Sequence, residues 1–342
     1  MVGNGVASRP TRILYLFPDR SSASARRWEQ EEFWPVYREA ADAVGLDFDV
    51  ADPEHVVLTD GEARWNGDAL DPARDVIVYD VRADPVRLPD LWVGVTLVRS
   101  LEALGFWSAI PLDLAILCSD KFATTAALQG APVPTIPSVR VPTGRDTAQA
   151  SYQELVPDEW FPAFVKPASW GRGLGCVICP DRGALDAVLG LASGSGAAMV
   201  IQPYVGEVIA DIRLVLVDGV VLAAYDRVPD GGSHVANISR GGSARLRNGS
   251  DGALSDLAAH IGRKIDVAYL CVDVLQTRSG ALWVSELELD GAVSALFDDP
   301  DLVRHVVGSR FRAYAARLEE RYRVPHGPGA RSLPIARTVG AS

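Results

Sequence analysis

The stretch Val272-Asp273-Val-Leu-Gln-Thr-Arg-Ser-Gly-Ala-Leu-Trp-Val-Ser-Glu286-Leu-Glu288 sets three carboxylates into two otherwise apolar runs. Ser279-Gly280 predicts a two-residue hairpin turn between two strands. In that register Asp273 lies directly opposite Glu286, and Glu288, two residues further on, shares the same face. Opposed Cβ atoms stand about 4.5–5.5 Å apart, where like charges destabilise a sheet. Three carboxylates so placed require a compensating charge. An all-oxygen donor set suits Mg2+, which one or two carboxylates commonly hold together with substrate phosphates. The other reading is a solvated polar face with Arg245, Arg247 or Arg278 as counter-charge; the apolar flanking residues favour the metal.

A second feature is Phe164-Val165-Lys166 running into Ala168-Ser-Trp170-Gly171-Arg-Gly173-Leu-Gly175. A dinucleotide-binding fingerprint needs a helix straight after its glycines. Here Cys176-Val-Ile-Cys179 follows, which favours strand and disfavours a Rossmann oxidoreductase. Gly-Lys-Ser/Thr does not occur, so a P-loop is excluded. What remains is a strand, a glycine loop and a strand, with Lys166 at the mouth. Such a loop either lays backbone N–H groups over a polyphosphate or is a mobile surface hairpin. Between this loop and the carboxylates stand Asp211-Ile-Arg213, Tyr225-Asp-Arg227 and Asn237-Ile-Ser-Arg240-Gly-Gly. Arginines near strand ends, beside a glycine loop and an acidic cluster, fit a phosphate clamp. No protein nucleophile is offered, because the five histidines are scattered and neither Gly-x-Ser-x-Gly nor His-Glu-x-x-His occurs. Cys176 and Cys179 resemble half a zinc site, but residues i and i+3 of a strand diverge and no second pair is near.

The chain that must position these groups has 342 residues, 48% hydrophobic and 23% charged, with 33 basic and 44 acidic side chains. It is too long for one compact core and implies two or three lobes. Its composition excludes a fibrous or largely disordered protein, and four cysteines are too few for a disulfide scaffold. A net charge of -11 repels phosphate backbones and anionic lipids, so neither nucleic acid nor membrane is an expected partner. The opening residues lack the apolar core of a signal peptide, and no apolar run reaches the ~20 residues of a membrane span. The expectation is a cytoplasmic protein.

Apolar runs at 13–17, 46–50 and 76–79 alternate with helical stretches at 25–44 and 91–104, which predicts a parallel α/β lobe over 1–112. A helix over 120–128 stops at Gly130 before a proline-rich stretch, and another spans 185–191; with the glycine loop these form a second region, 113–192. From 193 to 325 strands are expected at 199–202, 212–217, 220–225, 270–275 and 282–289, with helices at 255–265 and 301–321. Residues 326–342 read as a loose tail.

The ordered set Asp120-Lys121, Phe164-Val-Lys166-Pro with its glycine loop, Gln202-x-Tyr-Val205, Asp211-Ile-Arg213, Asn237-x-x-Arg240-Gly-Gly, Asp273 and Glu286-x-Glu288 resembles the ATP-grasp superfamily. Within it the likeness is to the branch of ribosomal-protein glutamate ligases and lysine-biosynthesis carrier-protein ligases, over about residues 110–295. The resemblance implies an α/β and α+β protein: an N-terminal parallel lobe, then two subdomains that grasp ATP. It implies an enzyme, a C–N bond-forming ligase in which ATP activates a carboxylate as an acyl phosphate, an amine attacks, and ADP and phosphate leave. Two anions must meet in such chemistry, so positioning and charge neutralisation dominate.

By the same resemblance Lys121 and Lys166 contact the phosphates while Gly171, Gly173 and Gly175 close over them. Gln202, Pro203, Tyr204 and Val205 read adenine through their backbone, and Asp211 with Glu207 holds the ribose. Arg213, Arg227, Asn237 and Arg240 face phosphate or acyl-phosphate oxygens, and Asp273, Glu286 and Glu288 hold Mg2+, or Mn2+ in its place. The implied substrates are a small carboxylate and an amine, an amino acid or small peptide; the chain's departures from its housekeeping relatives point to a specialised metabolite pathway, and assembly into a homo-oligomer is left open. Asp19, Arg20, Asp80, Arg82 and Trp170 are candidates for substrate contact against the commoner reading as structural or surface residues, and Trp170 is either a lid that excludes water or a side chain packed on the neighbouring lobe. The alternative from another class is an ATP-binding regulatory or scaffold protein without turnover. Three positions depart from the branch: Glu288 stands where Asn is usual, Pro203 where the hinge carries Glu, and Val235 where relatives carry Arg.

Overall fold

The computed structural model describes residues 9–17, 23, 26, 33–81, 91–143, 152–171, 173–228, 243–247, 251–296 and 298–323. Asn237, Arg240, Val235, Asp19, Arg20 and Arg82 lie outside the described residues, as do most of 18–32 and the tail 326–342. The chain divides into two compact units, one of residues 1–79, 92–112 and 307–342, the other of 80–91 and 113–306. Among the described residues no helix is long and apolar enough to cross a membrane.

The first unit contains β1 (Arg12–Leu16), α1 (Trp34–Asp42), β2 (Asp47–Ala51), β3 (Val56–Leu58), β4 (Ala63–Trp65), β5 (Asp68–Ala69), β6 (Asp75–Val78), α2 (Leu91–Ala103) and β7 (Trp107–Ser108). β2, β1, β6 and β7 lie side by side in that order, all parallel, as alternating strands and helices require. Arg12 forms a two-pronged pair with the buried Asp75, both contacts at 2.9 Å. The small antiparallel sheet of β3, β4 and β5 is an addition to the expected elements. Its signal was present: Asn66-Gly67, with φ of 52° and 89°, is the two-residue turn that joins Trp65 to Asp68.

The second unit opens with α3 (Leu112–Cys118), α4 (Lys121–Ala127), β8 (Val139–Val141), β9 (Ala163–Pro167), β10 (Val177–Cys179), α5 (Arg182–Ala192) and β11 (Met199–Pro203). Asp120 caps α4 by accepting hydrogen bonds from the N–H groups of Phe122 and Ala123, and Asp181 caps α5 through Ala184. The antiparallel sheet runs β10-β9-β11-β8. Its core joins Val141, Val165, Cys179, Leu185, Leu189 and Ile201. Cys179 thus serves as a small core side chain. β11 belongs to this sheet. It inserts between β9 and β8, pairing Val200 with both Lys166 and Arg140, so the sheet of the glycine loop extends to Pro203.

The remaining elements are β12 (Val208–Val217), β13 (Val220–Val228), β14 (Ser243–Leu246), α6 (Gly252–Lys264), β15 (Tyr269–Thr277), β16 (Leu282–Glu288) and α7 (Pro300–Arg323). The strands form a five-stranded sheet, β14-β13-β12-β15-β16. The β15–β16 turn departs from expectation. Thr277 N–H donates to the Ala281 carbonyl (3.0 Å) and Gly280 N–H to that of Thr277 (2.9 Å). The loop is therefore three residues long, Arg278-Ser279-Gly280, with Gly280 at φ 86°. Val274 pairs with Val284, but Asp273 pairs with Glu286, so Ser285 is an extra residue bulged out of β16. The longer turn and the bulge compensate, and the expected Asp273–Glu286 pairing forms.

In the final helix, the residues from Val307 to Arg323 belong to the first unit. The cause is aromatic: Phe311 stacks on Phe48 with centroids 5.7 Å apart and meets Tyr37 edge-on at 5.9 Å, while Tyr314 meets Trp107 at 6.2 Å.

Candidate active site

Pairing across β13, β12, β15 and β16 aligns Tyr225, Arg213, Asp273 and Glu286 in one row. One step along the pleat Arg227 pairs with Asp211, and one step the other way Cys271 pairs with Glu288. Alternation places all of these on one side of the sheet. Ile212, Leu214, Val272, Val274 and Leu287, on the other side, are buried. One face of this sheet is therefore core and the other carries charge.

The charged face is tightly paired. Arg213 grips Asp273 with two prongs, Nε to Oδ1 at 2.8 Å and Nη2 to Oδ2 at 2.7 Å. The same Nη2 is 2.9 Å from Glu288 Oε1, and Nη1 donates to the Ala292 carbonyl at 3.2 Å. Tyr225 braces that carbonyl from its hydroxyl at 3.1 Å. Arg227 Nη2 lies 2.7 Å from both Asp211 Oδ2 and Asp273 Oδ2. Burial alone would raise the Asp273 carboxyl, but the two guanidiniums reverse this and hold it down to about 2. Asp211 moves the opposite way. Burial, with the Asp273 charge beside it, outweighs the shared Arg227 and raises its carboxyl to about 6. Among the described residues neither Asp211 Oδ1 nor Arg227 Nε has a hydrogen-bond partner, although both atoms are buried. A buried acceptor next to a buried donor calls for a polar ligand offering both functions.

The two lysines come from the four-stranded sheet's side of the unit. The Asp120 cap places Lys121 at the first turn of α4, where its N–H donates to the Ala168 carbonyl (2.8 Å). Its ammonium donates to the Trp170 carbonyl in the glycine loop at 2.6 Å and lies 3.4 Å from Glu286 Oε1. Lys166, on β9, is 5% exposed. Burial lowers its pKa; Glu286 and Asp211 oppose the shift and Lys121 adds to it. Gly173 and Gly175 sit at φ 65° and 70°, where side chains are strained. A Cβ at Gly175 would stand 2.7 Å from Pro167 Cγ and 3.3 Å from the Trp170 ring. Gly175→Ala is expected to cost about 1–3 kcal/mol of stability, read from the urea midpoint, because strain and crowding act together.

The segment after β11 is tied on both sides. Tyr204 N–H donates to the Pro162 carbonyl (3.0 Å), and Arg278 N–H to that of Glu207 (2.8 Å). Gln202 donates to Ser138 Oγ at 2.8 Å. Glu207 is paired with the Arg278 side chain at the surface. Arg245 and Arg247 pair with Asp226, so of the three arginines weighed as counter-charges for the carboxylate trio, none is its partner among the contacts seen. Sequence reasoning missed the two braces, Tyr225 and Ala292, and the Lys121–Trp170 tie. Tyr225 alone carried a signal, two residues before Arg227 on the same face.

Asp273, Glu286 and Glu288 each bring one oxygen to within 4.8 Å of the others. Opposite ligands of an octahedral Mg2+ lie about 4.2 Å apart, so the trio fits a hard divalent cation after a small contraction. Charge agrees: the four carboxylates Asp211, Asp273, Glu286 and Glu288 face the four cations Lys121, Lys166, Arg213 and Arg227.

Residues 118–294 match the model of the family described as the RimK-like ATP-grasp domain. A Pseudoalteromonas atlantica protein named "probable alpha-L-glutamate ligase 2" is 29% identical over 217 residues, 61% of this chain and 68% of that protein. Beta-citrylglutamate synthase B of Danio rerio is 27% identical over 236 residues, 68% of this chain but only 56% of its own length. In fold, the chain is similar to the ATP-complexed D-alanine–D-alanine ligase of Bacillus anthracis, with a TM-score of 0.61 at 15% identity over 91% of this chain and 99% of that one.

Proposed function

The chain belongs to the RimK-like ATP-grasp family of ATP-dependent ligases, and we propose that it joins a small carboxylate to an amine through an acyl phosphate, releasing ADP and phosphate. The observation that carries this reading is the charged face, where Arg213, Arg227, Lys121 and Lys166 converge on Asp211, Asp273, Glu286 and Glu288. Such a face neutralises and aligns anions, which is what transfer of a phosphoryl group to a carboxylate requires.

Lys166 and Lys121 bind the polyphosphate, and the backbone of Gly171, Gly173 and Gly175 covers it. Residues Gln202 to Val205 take the base; Pro203 offers its carbonyl and Val205 its N–H. Asp211, through its orphaned oxygen, accepts from a sugar hydroxyl, and Arg227 Nε donates to an anionic oxygen. Asp273, Glu286 and Glu288 form the seat for Mg2+, which when bound supplies Lewis-acid charge to the transferring group. Glutamate stands in the names of both relatives, which favours an amino acid or small peptide as one substrate.

Asp211 sets a pH dependence. Its folded value of about 6 lies above the usual carboxylate value, so its stabilising contribution is complete below about pH 4 and lost as pH rises through 6. Ligand binding runs the other way, because the ionised carboxylate is the better acceptor. Affinity for a non-hydrolysable ATP analogue is expected to fall by up to about tenfold from pH 7 to 5 by calorimetry, and Asp211→Asn should flatten that profile.

The function itself is tested with purified protein, Mg2+, ATP and a panel of amino acids and dipeptides. ADP and phosphate released only when a carboxylate is present is the expected result. AMP release would overturn the acyl-phosphate route, and ATP binding without turnover would leave a scaffold.

A further inference from the structure

One nitrogen of Arg213 bridges two of the three clustered carboxylates: Nη2 is 2.7 Å from Asp273 Oδ2 and 2.9 Å from Glu288 Oε1. The guanidinium is firmly placed. Nε holds the second Asp273 oxygen, Nη1 donates to the Ala292 carbonyl, and the side chain is 4% exposed. Gly291 leaves room for it, since a Cβ there would stand 3.3 Å from Nη1 and 2.6 Å from Cys271 Sγ. Asp273 has little capacity left. Of about four lone-pair sites, three accept N–H groups from Arg213 and Arg227. Glu286 and Glu288 differ. Their side chains are 28% and 37% exposed, Glu286 meets Lys121 only at 3.4 Å, and Glu288 meets Arg213 through one oxygen.

We propose that Arg213 is a built-in competitor for the divalent cation. Asp273, Glu286 and Glu288 hold the cation unequally: Asp273 keeps its pairs with the arginines and gives only its remaining lone pair, while Glu288 exchanges Arg213 for the metal. The negative charge at position 288 creates this competition, because a neutral side chain would hold a guanidinium far less strongly. Cation loading then frees an Arg213 N–H for an anionic oxygen, so the arginine is presented only once the metal is seated. This inference rests on the Mg2+ site proposed above and assigns its ligands unequal roles.

The test is Mn2+ binding to the full-length protein without nucleotide, by electron paramagnetic resonance and calorimetry, with a thermal melt of each variant. Arg213→Gln should tighten Mn2+ about tenfold or more. Arg227→Gln removes the same charge from Asp273 without breaking a hydrogen bond to Glu288, and should tighten Mn2+ by clearly less than Arg213→Gln does. Arg213→Lys keeps the charge but loses the fork, and should tighten binding by about threefold; it carries the comparison if the glutamine variant unfolds. Glu288→Gln should weaken binding about tenfold. Equal effects of Arg213→Gln and Arg227→Gln, or no effect of Glu288→Gln, would overturn the competition while leaving the metal site standing. Failure of the unaltered protein to bind Mn2+ would overturn the site itself.

Discussion

Glu286→Gln is expected to lower carboxylate-dependent ADP release by about a thousandfold while leaving the protein folded. Glu286 is half-buried; Lys121 is 3.4 Å away, a pair worth under about 1 kcal/mol, and Lys166 lies within its field. Its contribution to stability is therefore small. As a ligand of the cation that neutralises the transferring phosphoryl group it is worth several kcal/mol, and about 4 kcal/mol corresponds to a thousandfold in rate. The check is steady-state ADP release beside a thermal melt. Turnover within tenfold of the unaltered enzyme would remove Glu286 from the cation site.

Asp273→Asn should behave differently, losing both turnover and about 3 kcal/mol of stability. The carboxylate is 4% exposed and shared by two guanidiniums. A neutral amide in its place leaves two buried arginines competing for one carbonyl oxygen, and breaking one side of a buried pair is strongly destabilising. Denaturant unfolding measures the loss. Linkage supplies an independent sign. Because the folded carboxyl is held far below its unfolded value, its stabilisation is present above about pH 4 and disappears as pH falls toward 2. The asparagine variant should lack that acid-labile share. An Asp273→Asn protein as stable as its parent would mean that solvent, not the fold, satisfies the arginines.

Much of this site was legible because strand pairing is arithmetic. Two apolar runs around a turn put Asp273 against Glu286, and Asp211 and Arg213 two residues apart had to share a face. The turn itself was misread, since a three-residue loop and a two-residue loop both accept Ser-Gly, and a bulge at Ser285 leaves no mark in composition. The sheet that β11 joins is not legible for a related reason. Met199-Val-Ile-Gln is a buried run on either reading, and only its partners, β8 and β9, decide where it belongs. The division of labour among the arginines was out of reach. Whether a guanidinium serves Asp273, Asp226 or Glu207 depends on distances of a few ångströms between strands remote in sequence.

The return of the chain to the first unit at Val307 bears on how the protein is made. The aromatic cluster of Tyr37 and Phe48 lacks its cover until Phe311 and Tyr314 have been synthesised. Translation therefore delivers the complete five-stranded sheet before it delivers a finished N-terminal core. The lobe encoded first matures last, and until then its exposed rings are a natural target for chaperones that recognise apolar surface.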